Sequence, residues 1–414
     1  MRLLIFSFEY PPRIYGGLGT YALETTKKYV EFGHRVCVVA PNPGGLAERD
    51  TWNGVEVLRP AMCDWAAGLP FFVTEEFRRW GDGLSYLGEV IGYNMLGANA
   101  VVTEGRKFDV VVGHDWLGAM GAAVAARQTK SPFVFHVHST EGGRQEGAGS
   151  PSIRFMEVWG ATVADRVVTV SHAMKDEVEG MGVPPEKVAV AWNGVDAAKY
   201  DPARFDGEMR ERLRERYDVG AGETMVLFVG RLTKVKGVVP LARAVPIVLD
   251  RFPRAKFVFL GRGELEGQVR GILREAGVES RAAVRAEFVD ERERILHYAA
   301  CDLAVFPSFY EPFGIVSLEA MAMGKPVVVG AQGTSGFREQ VVTEGPAMCG
   351  VHVNPRSPED IAWGIGLLME GDMERLGRNA RQRVLADFTW DRIASKTLDI
   401  YEGVTGARAG DGGV

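Results

Sequence analysis

The chain lacks the marks of several large functional classes. Its 414 residues include four cysteines, Cys37, Cys63, Cys301 and Cys349, with no Cys-x-x-Cys pair among them. That excludes a disulfide framework and a cysteine-rich zinc site, and it suits a reducing, cytoplasmic compartment. No uncharged apolar run reaches the ~20 residues of a membrane-spanning helix. The opening MRLLIFSFEYPP is too short in its apolar part for a signal peptide and reads as a first buried strand. Positive charge is not in excess: 48 Lys and Arg stand against 54 Asp and Glu, a formal net charge of −6. Nucleic acid is therefore not expected as a partner, because phosphate backbones need a basic field. There is no Gly-x-x-x-x-Gly-Lys-Ser/Thr. Gly261-Arg262-Gly263 approaches the dinucleotide fingerprint, but its third glycine comes one place late, at Gly267.

What the chain does have is an alternation of short apolar runs and helical periods, in two halves without internal repeat. Leu3–Phe8, Val36–Ala40, Val55–Pro60, Phe108–Gly113, Phe133–Val137 and Val167–Val170 read as buried strands of a first half. Met225–Val229, Lys256–Leu260, Leu303–Phe306 and Val327–Val329 do so in a second. This pattern predicts two α/β halves, each a doubly wound parallel sheet. Between them, Asp201–Gly222 is strongly charged, and Met209–Tyr217 reads as a solvated linker helix. The stretch Ala61–Asn99 carries Trp65, Phe71, Phe72, Phe77, Trp80, Tyr86 and Tyr93, either a sugar-stacking surface or packing against the sheet.

One stretch, Pro307 to Val329, concentrates the chemistry. It reads as strand end, loop, helix and strand, with the helix opening at Phe313-Gly314 and stopping at Gly324-Lys325-Pro326. Free N–H groups of Gly314, Ile315 and Val316 at the helix start make an anion cradle. Glu311 lies on the loop before it and Glu319 inside the helix, eight residues apart. A cradle for anions with an acceptor on either side fits a nucleoside diphosphate sugar.

Other polar groups fall at strand ends, where such sheets bind ligands. Glu9-Tyr10-Pro11-Pro12 breaks the first strand, and Gly16-Gly17-Leu18-Gly19 follows; glycines there serve a turn needing positive φ or the close approach of a phosphate. His114-Asp115-Trp116 ends one strand. His136-Val137-His138 ends the next, with His138 at the tip as the functional candidate and His136 as a structural residue. In the second half, Arg231 and Lys236 follow the first strand. An arginine grips phosphate bidentately and a lysine adds a point charge.

Pro-Ser followed by Glu-x7-Glu resembles the signature of retaining GT-B glycosyltransferases of the glycogen-synthase and GT4-like group. EYPPxxxGG, HDW, V-H-S, NGVD and Arg-x4-Lys-Gly extend the likeness over nearly the whole chain. The resemblance implies an α/β GT-B fold: two Rossmann-like domains facing a cleft, at residues 1–197 and 198–386, a crossover helix at 387–405 packing on the first domain, and a disordered tail at 406–414. It also implies roles. Glu311 would contact the transferred sugar, Glu319 the ribose hydroxyls, Arg231 and Lys236 the diphosphate with the cradle at Gly314, Ile315 and Val316. Gly16 and Gly17 would touch the donor phosphate, and His138 with Asp115 nearby would lie by the donor sugar. No Asp-x-Asp occurs, which fits an enzyme using Arg and Lys, with no essential metal, to neutralise the leaving diphosphate. The expected substrates are an ADP-, UDP- or GDP-sugar and a glucan or small sugar acceptor, with a homo-oligomer allowed. The expected reaction moves glucose to an α-glucan or small α-glucoside. The alternatives are a lipid, exopolysaccharide or compatible-solute precursor as acceptor, or synthesis of maltose 1-phosphate.

Overall fold

The computed structural model describes residues 1–65, 68, 69, 75, 79–81, 83–287 and 289–411, with 407–411 described in backbone only. The chain forms two compact units. The first comprises Met1–Val170, Lys175–Ala191 and Trp390–Val414, and the second Ser171–Met174 and Trp192–Thr389.

The first unit is built on an eight-stranded sheet. Its strands are β1 (Arg2–Phe6), β2 (Arg35–Val39), β3 (Arg49–Trp52), β4 (Val55–Leu58), β5 (Val110–His114), β6 (Phe133–Val137), β7 (Arg166–Thr169) and β8 (Val188–Val190). Their order is β3-β4-β2-β1-β5-β6-β7-β8, with β3 antiparallel to β4 and every other pairing parallel. Leu3, Ile5, Val38, Val57, Val112, Val134 and Val168 are buried in the sheet, the near-continuous apolar runs of strands covered on both faces. The helix Asp115–Thr129 lies directly on β1, close enough that a Cβ on Gly118 would come 2.4 Å from the carbonyl oxygen of Phe6.

The final helix, Trp390–Asp411, belongs to this unit. Its Tyr401 hydroxyl is 2.8 Å from His136 Nε2, Thr397 is 3.2 Å from the Tyr21 hydroxyl, and Asp391 pairs with Lys28 at 2.9 Å. Its backbone is helical past Gly406, where the sequence suggested a tail; residues 412–414 lie outside the described residues.

The second unit carries six parallel strands: β9 (Thr224–Val229), β10 (Ala255–Leu260), β11 (Ala282–Arg285), β12 (Leu303–Phe306), β13 (Val327–Gly330) and β14 (Gly350–Val353). Their order is β11-β10-β9-β12-β13-β14. The charged segment before β9 is not a free linker. Its helix, Gly207–Glu215, is capped by Asp206, buries Leu213, and sends Arg214 to the carbonyls of Ala300 and Glu223 and to Asp302 Oδ2, at 2.6–2.9 Å. One apolar residue at the right helical position and one long arginine reaching a helix-end carbonyl and the carbonyl just before β9 are enough to dock it.

Each sheet reverses its strand order at one place, between β1 and β5 in the first unit and between β9 and β12 in the second. At such a switch point the loops leaving the two central strands diverge to opposite faces and leave a crevice at the carboxyl ends. The loops at these points carry Glu9–Gly17 and His114-Asp115 in one sheet, and Gly230–Gly237 and Pro307–Gly314 in the other.

Candidate functional site

In the second unit, the loops after β9 and β12 are locked together by backbone. Phe309 N donates to the Val235 carbonyl at 2.8 Å. Glu311 N donates to Thr334 O at 3.0 Å, and Gly336 N donates to Glu311 O at 2.9 Å, so the Gly333-Thr334-Ser335-Gly336 loop grips Glu311 from the other side. The Glu311 carboxylate is buried, with Oε2 2.5 Å from Lys236 Nζ and accepting the Ser308 hydroxyl at 3.0 Å. Lys236 and Glu311, 75 residues apart in sequence, thus form one charged pair. Arg231 is exposed and makes no side-chain hydrogen bond or ion pair among the described residues.

The helix behind this pair is Ile315–Ala322, capped by Gly314 with no side chain on its first N–H groups. Gly314 has φ +94°, and a Cβ there would lie 2.1 Å from Phe337 Cε1. Only glycine suits both conditions. Gln340 Nε2 donates to the carbonyls of Phe313 and Gly314 at 2.7 and 3.2 Å, and the Ser317 hydroxyl donates back to Gly314 O at 2.8 Å. These bonds turn the carbonyls inward. The N–H groups of Gly314, Ile315 and Val316 stand at the helix start without a side-chain cap, as an anion cradle requires.

Glu319 sits apart from the Lys236–Glu311 pair in a cluster of its own. It is buried; Oε1 accepts Tyr200 Oη at 2.5 Å, Oε2 accepts Tyr298 Oη at 2.9 Å, and Arg294 Nη1 is 3.4 Å away. Each carboxylate oxygen retains a further lone pair. Tyr200, Arg294 and Tyr298 were not legible as site residues, because their convergence on Glu319 is tertiary. Ser171 was also missed: read as a helix cap, it does accept Met174 N at 3.0 Å, but it also donates to Pro312 O at 2.6 Å, bracing the Glu311 loop.

In the first unit, Gly16 lies at φ −166° and ψ −155°, and Gly17 begins the helix Gly17–Glu31. Neither has positive φ, so a left-handed turn is not what glycine serves here. The Glu9 carboxylate accepts the N–H groups of Tyr15 and Gly16 at 2.9 and 3.0 Å. These loop N–H groups therefore already hold an anionic oxygen.

Asp115 begins the helix after β5 with φ +52° and is buried. Its Oδ1 accepts the backbone N–H of His138 at 2.7 Å, tying the end of β5 to the tip of β6. Loss of water pushes its carboxyl up to about 6, against the pull of Arg144 and the backbone donors. His138 is buried; Nε2 is 2.7 Å from His114 Nδ1, and Nδ1 has no partner. Burial lowers His138 to about 3 and holds His114 and His136 well below the ordinary imidazole range, so all three are neutral at pH 7. His136, read as structural, lies in one cluster with His114 and His138, against the ring of Tyr21.

Glu157, close enough to Asp115 to feel its charge, accepts Glu141 N through Oε1 at 2.7 Å, while its Oε2 is unpartnered and buried. Burial raises its carboxyl to about 7. Its sequence signal was helical spacing: Ile153, Glu157 and Ala161 form the buried stripe of the helix Pro151–Val163. Of the aromatic stretch, Tyr93 is core, donating to Leu117 O at 2.6 Å, and Tyr86 packs edge-on to Phe8 with ring centres 5.1 Å apart. Phe71, Phe72 and Phe77 lie outside the described residues. Among the described residues no helix is long and apolar enough to cross a membrane.

Two family models match the chain: a glycosyl transferase 4-like domain over residues 16–194 and glycosyl transferases group 1 over residues 209–383. An uncharacterised glycosyltransferase of Methanocaldococcus jannaschii is 34% identical, the alignment covering 97% of this chain and 98% of the relative. A glycogen synthase of Mycobacterium tuberculosis is 30% identical over 97% of this chain and 94% of its own. Among solved structures, a sucrose-phosphate synthase from Thermosynechococcus elongatus superposes with a TM-score of 0.76 at 20% identity, covering 98% of this chain and 99% of the other; that likeness speaks for the fold.

Proposed function

The chain belongs to the glycosyltransferases that join a type 4-like domain to a group 1 domain, and on that premise we propose that it transfers glucose, with retention, from a nucleoside diphosphate glucose to an α-glucan or small α-glucoside. The observation that carries the donor half is the Lys236–Glu311 pair, 2.5 Å apart, ahead of the uncapped helix start at Gly314. In this reading the acceptor hydroxyl oxygen bonds to the anomeric carbon as the bond from that carbon to the diphosphate oxygen breaks. The new bond forms on the face the diphosphate leaves, and the hydroxyl proton passes to the departing phosphate. Negative charge grows on the diphosphate, where Arg231, Lys236 and the N–H groups of Gly314, Ile315 and Val316 offset it. Glu311 orients the sugar and Glu319 the ribose hydroxyls. Gly16 and Gly17 are assigned to phosphate contact and His138 to the sugar, with Asp115 fixing the His138 backbone.

The glucan acceptor is supported by the full-length likeness to a protein named glycogen synthase. The test is nucleoside diphosphate release from ADP-, UDP- and GDP-glucose, each alone, with glycogen or maltose, and with glucose 1-phosphate. Stimulation by glycogen or maltose is expected. Stimulation by glucose 1-phosphate alone replaces the glucan with a phosphosugar acceptor, and release that no α-glucoside stimulates overturns the acceptor reading.

A further inference from the structure

Three buried imidazoles cluster where the carboxyl ends of β5 and β6 lie side by side. His114 ends β5, while His136 and His138 lie on neighbouring β6 and at its tip, so the sheet itself brings them together. Their ring centres are 5.0, 5.0 and 6.0 Å apart, and one nitrogen from each lies within 4.8 Å of the others. Three imidazoles on one tetrahedral ion, with metal–nitrogen bonds of ~2.0–2.1 Å, have ring centres ~5 Å apart. The group consists of histidines alone, and among the described residues it is the one group of three or more such ligands. His114 Nδ1 and His138 Nε2 already face each other at 2.7 Å. His136 Nε2 meets the Tyr401 hydroxyl at 2.8 Å, the kind of outer contact that fixes the tautomer of a metal-bound histidine.

We infer that His114, His136 and His138 form a binding site for a divalent transition-metal ion of the zinc class within the first unit. Three neutral nitrogen ligands select zinc, cobalt, nickel or copper over magnesium and calcium, which take oxygen ligands. His114 Nδ1 and His138 Nε2, now 2.7 Å apart, would separate by about half an ångström to share the ion instead of a proton. The ion would join the ends of β5 and β6 and, through His136 and Tyr401, hold the final helix against the sheet. It would have no part in neutralising the diphosphate; with Nε2 on the ion, the unpartnered Nδ1 of His138 stays free for the sugar contact assigned above.

The test uses the full chain without a histidine tag, stripped by chelator and titrated with cobalt(II). The chain has seven histidines, so background binding is low. The expected result is one cobalt per chain with the visible absorption of a tetrahedral site. His136→Gln should weaken binding about 100-fold or more, and His34→Gln should leave it unchanged. Tyr401→Phe, which removes a hydroxyl and keeps the ring, should weaken it roughly 10–100-fold. If His136→Gln does not fold, Tyr401→Phe carries the test. Octahedral cobalt spectra, or equal affinities in wild type and Tyr401→Phe, overturn the site.

Discussion

Replacing Arg231 with alanine separates a functional charge from a structural one. The residue is exposed, with no side-chain hydrogen bond or ion pair among the described residues, so the folded state loses almost nothing. A stability change within about 0.5 kcal/mol is expected. If the guanidinium grips the leaving diphosphate, the transition state loses charge-assisted hydrogen bonds worth about 1.5–3 kcal/mol. That corresponds to roughly a 10–150-fold fall in turnover. Lys236→Met is the contrasting case. Its ammonium is 2.5 Å from Glu311, and the two side chains are only 21% and 10% exposed. Removing it leaves a buried carboxylate with the Ser308 hydroxyl as its side-chain partner, so about 1–3 kcal/mol of stability should go along with turnover. The assays are nucleoside diphosphate release at saturating donor and urea unfolding of both variants. A loss of less than about tenfold in turnover for Arg231→Ala refutes the phosphate assignment. A large loss of stability in the same variant refutes the reasoning from its exposure.

Gly314→Ala forces a side chain into φ +94° and against Phe337, so it should cost about 2–5 kcal/mol in urea unfolding; a change under about 1 kcal/mol would mean the loop yields easily. Glu157 has a folded-state pKa of about 7 against an ordinary 4.5, so its stabilising effect is complete below about pH 4.5 and disappears as pH rises through 7. Glu157→Gln should therefore match the wild type near pH 4.5 and exceed it by about 3 kcal/mol at pH 8, and equal stabilities at both pH values would contradict a buried ionisable carboxyl. Glu319→Gln should raise the donor KM about tenfold with a smaller effect on kcat, because the ribose contact exists in ground and transition states alike. Unchanged donor KM would leave Glu319 as a support for Tyr200 and Tyr298 only.

Much of the second unit's chemistry is local in sequence. Glu311, the Gly314 cradle and Glu319 share one loop and helix, and a helix start exposes its N–H groups wherever the chain folds. Lys236 lies on another loop, and its pairing with Glu311 follows from β9 and β12 being neighbours. The docked helix Gly207–Glu215 misled the reading because its single buried leucine is outweighed by charged neighbours. Of the two readings of the glycines at 16 and 17, the left-handed turn is the one that fails, because the backbone there is extended and then helical.

Periodicity and capping act within a few residues, so the alternation of strands and helices, the two halves and the residue types at the strand ends are legible along the chain alone. Strand order was decided by tertiary structure. So were the switch points, the convergence of Tyr200, Arg294 and Tyr298 on Glu319, and the meeting of His114 with His136 and His138. These depend on which strands become neighbours, and long-range pairing is chosen by the burial of whole faces rather than by any single stretch of chain.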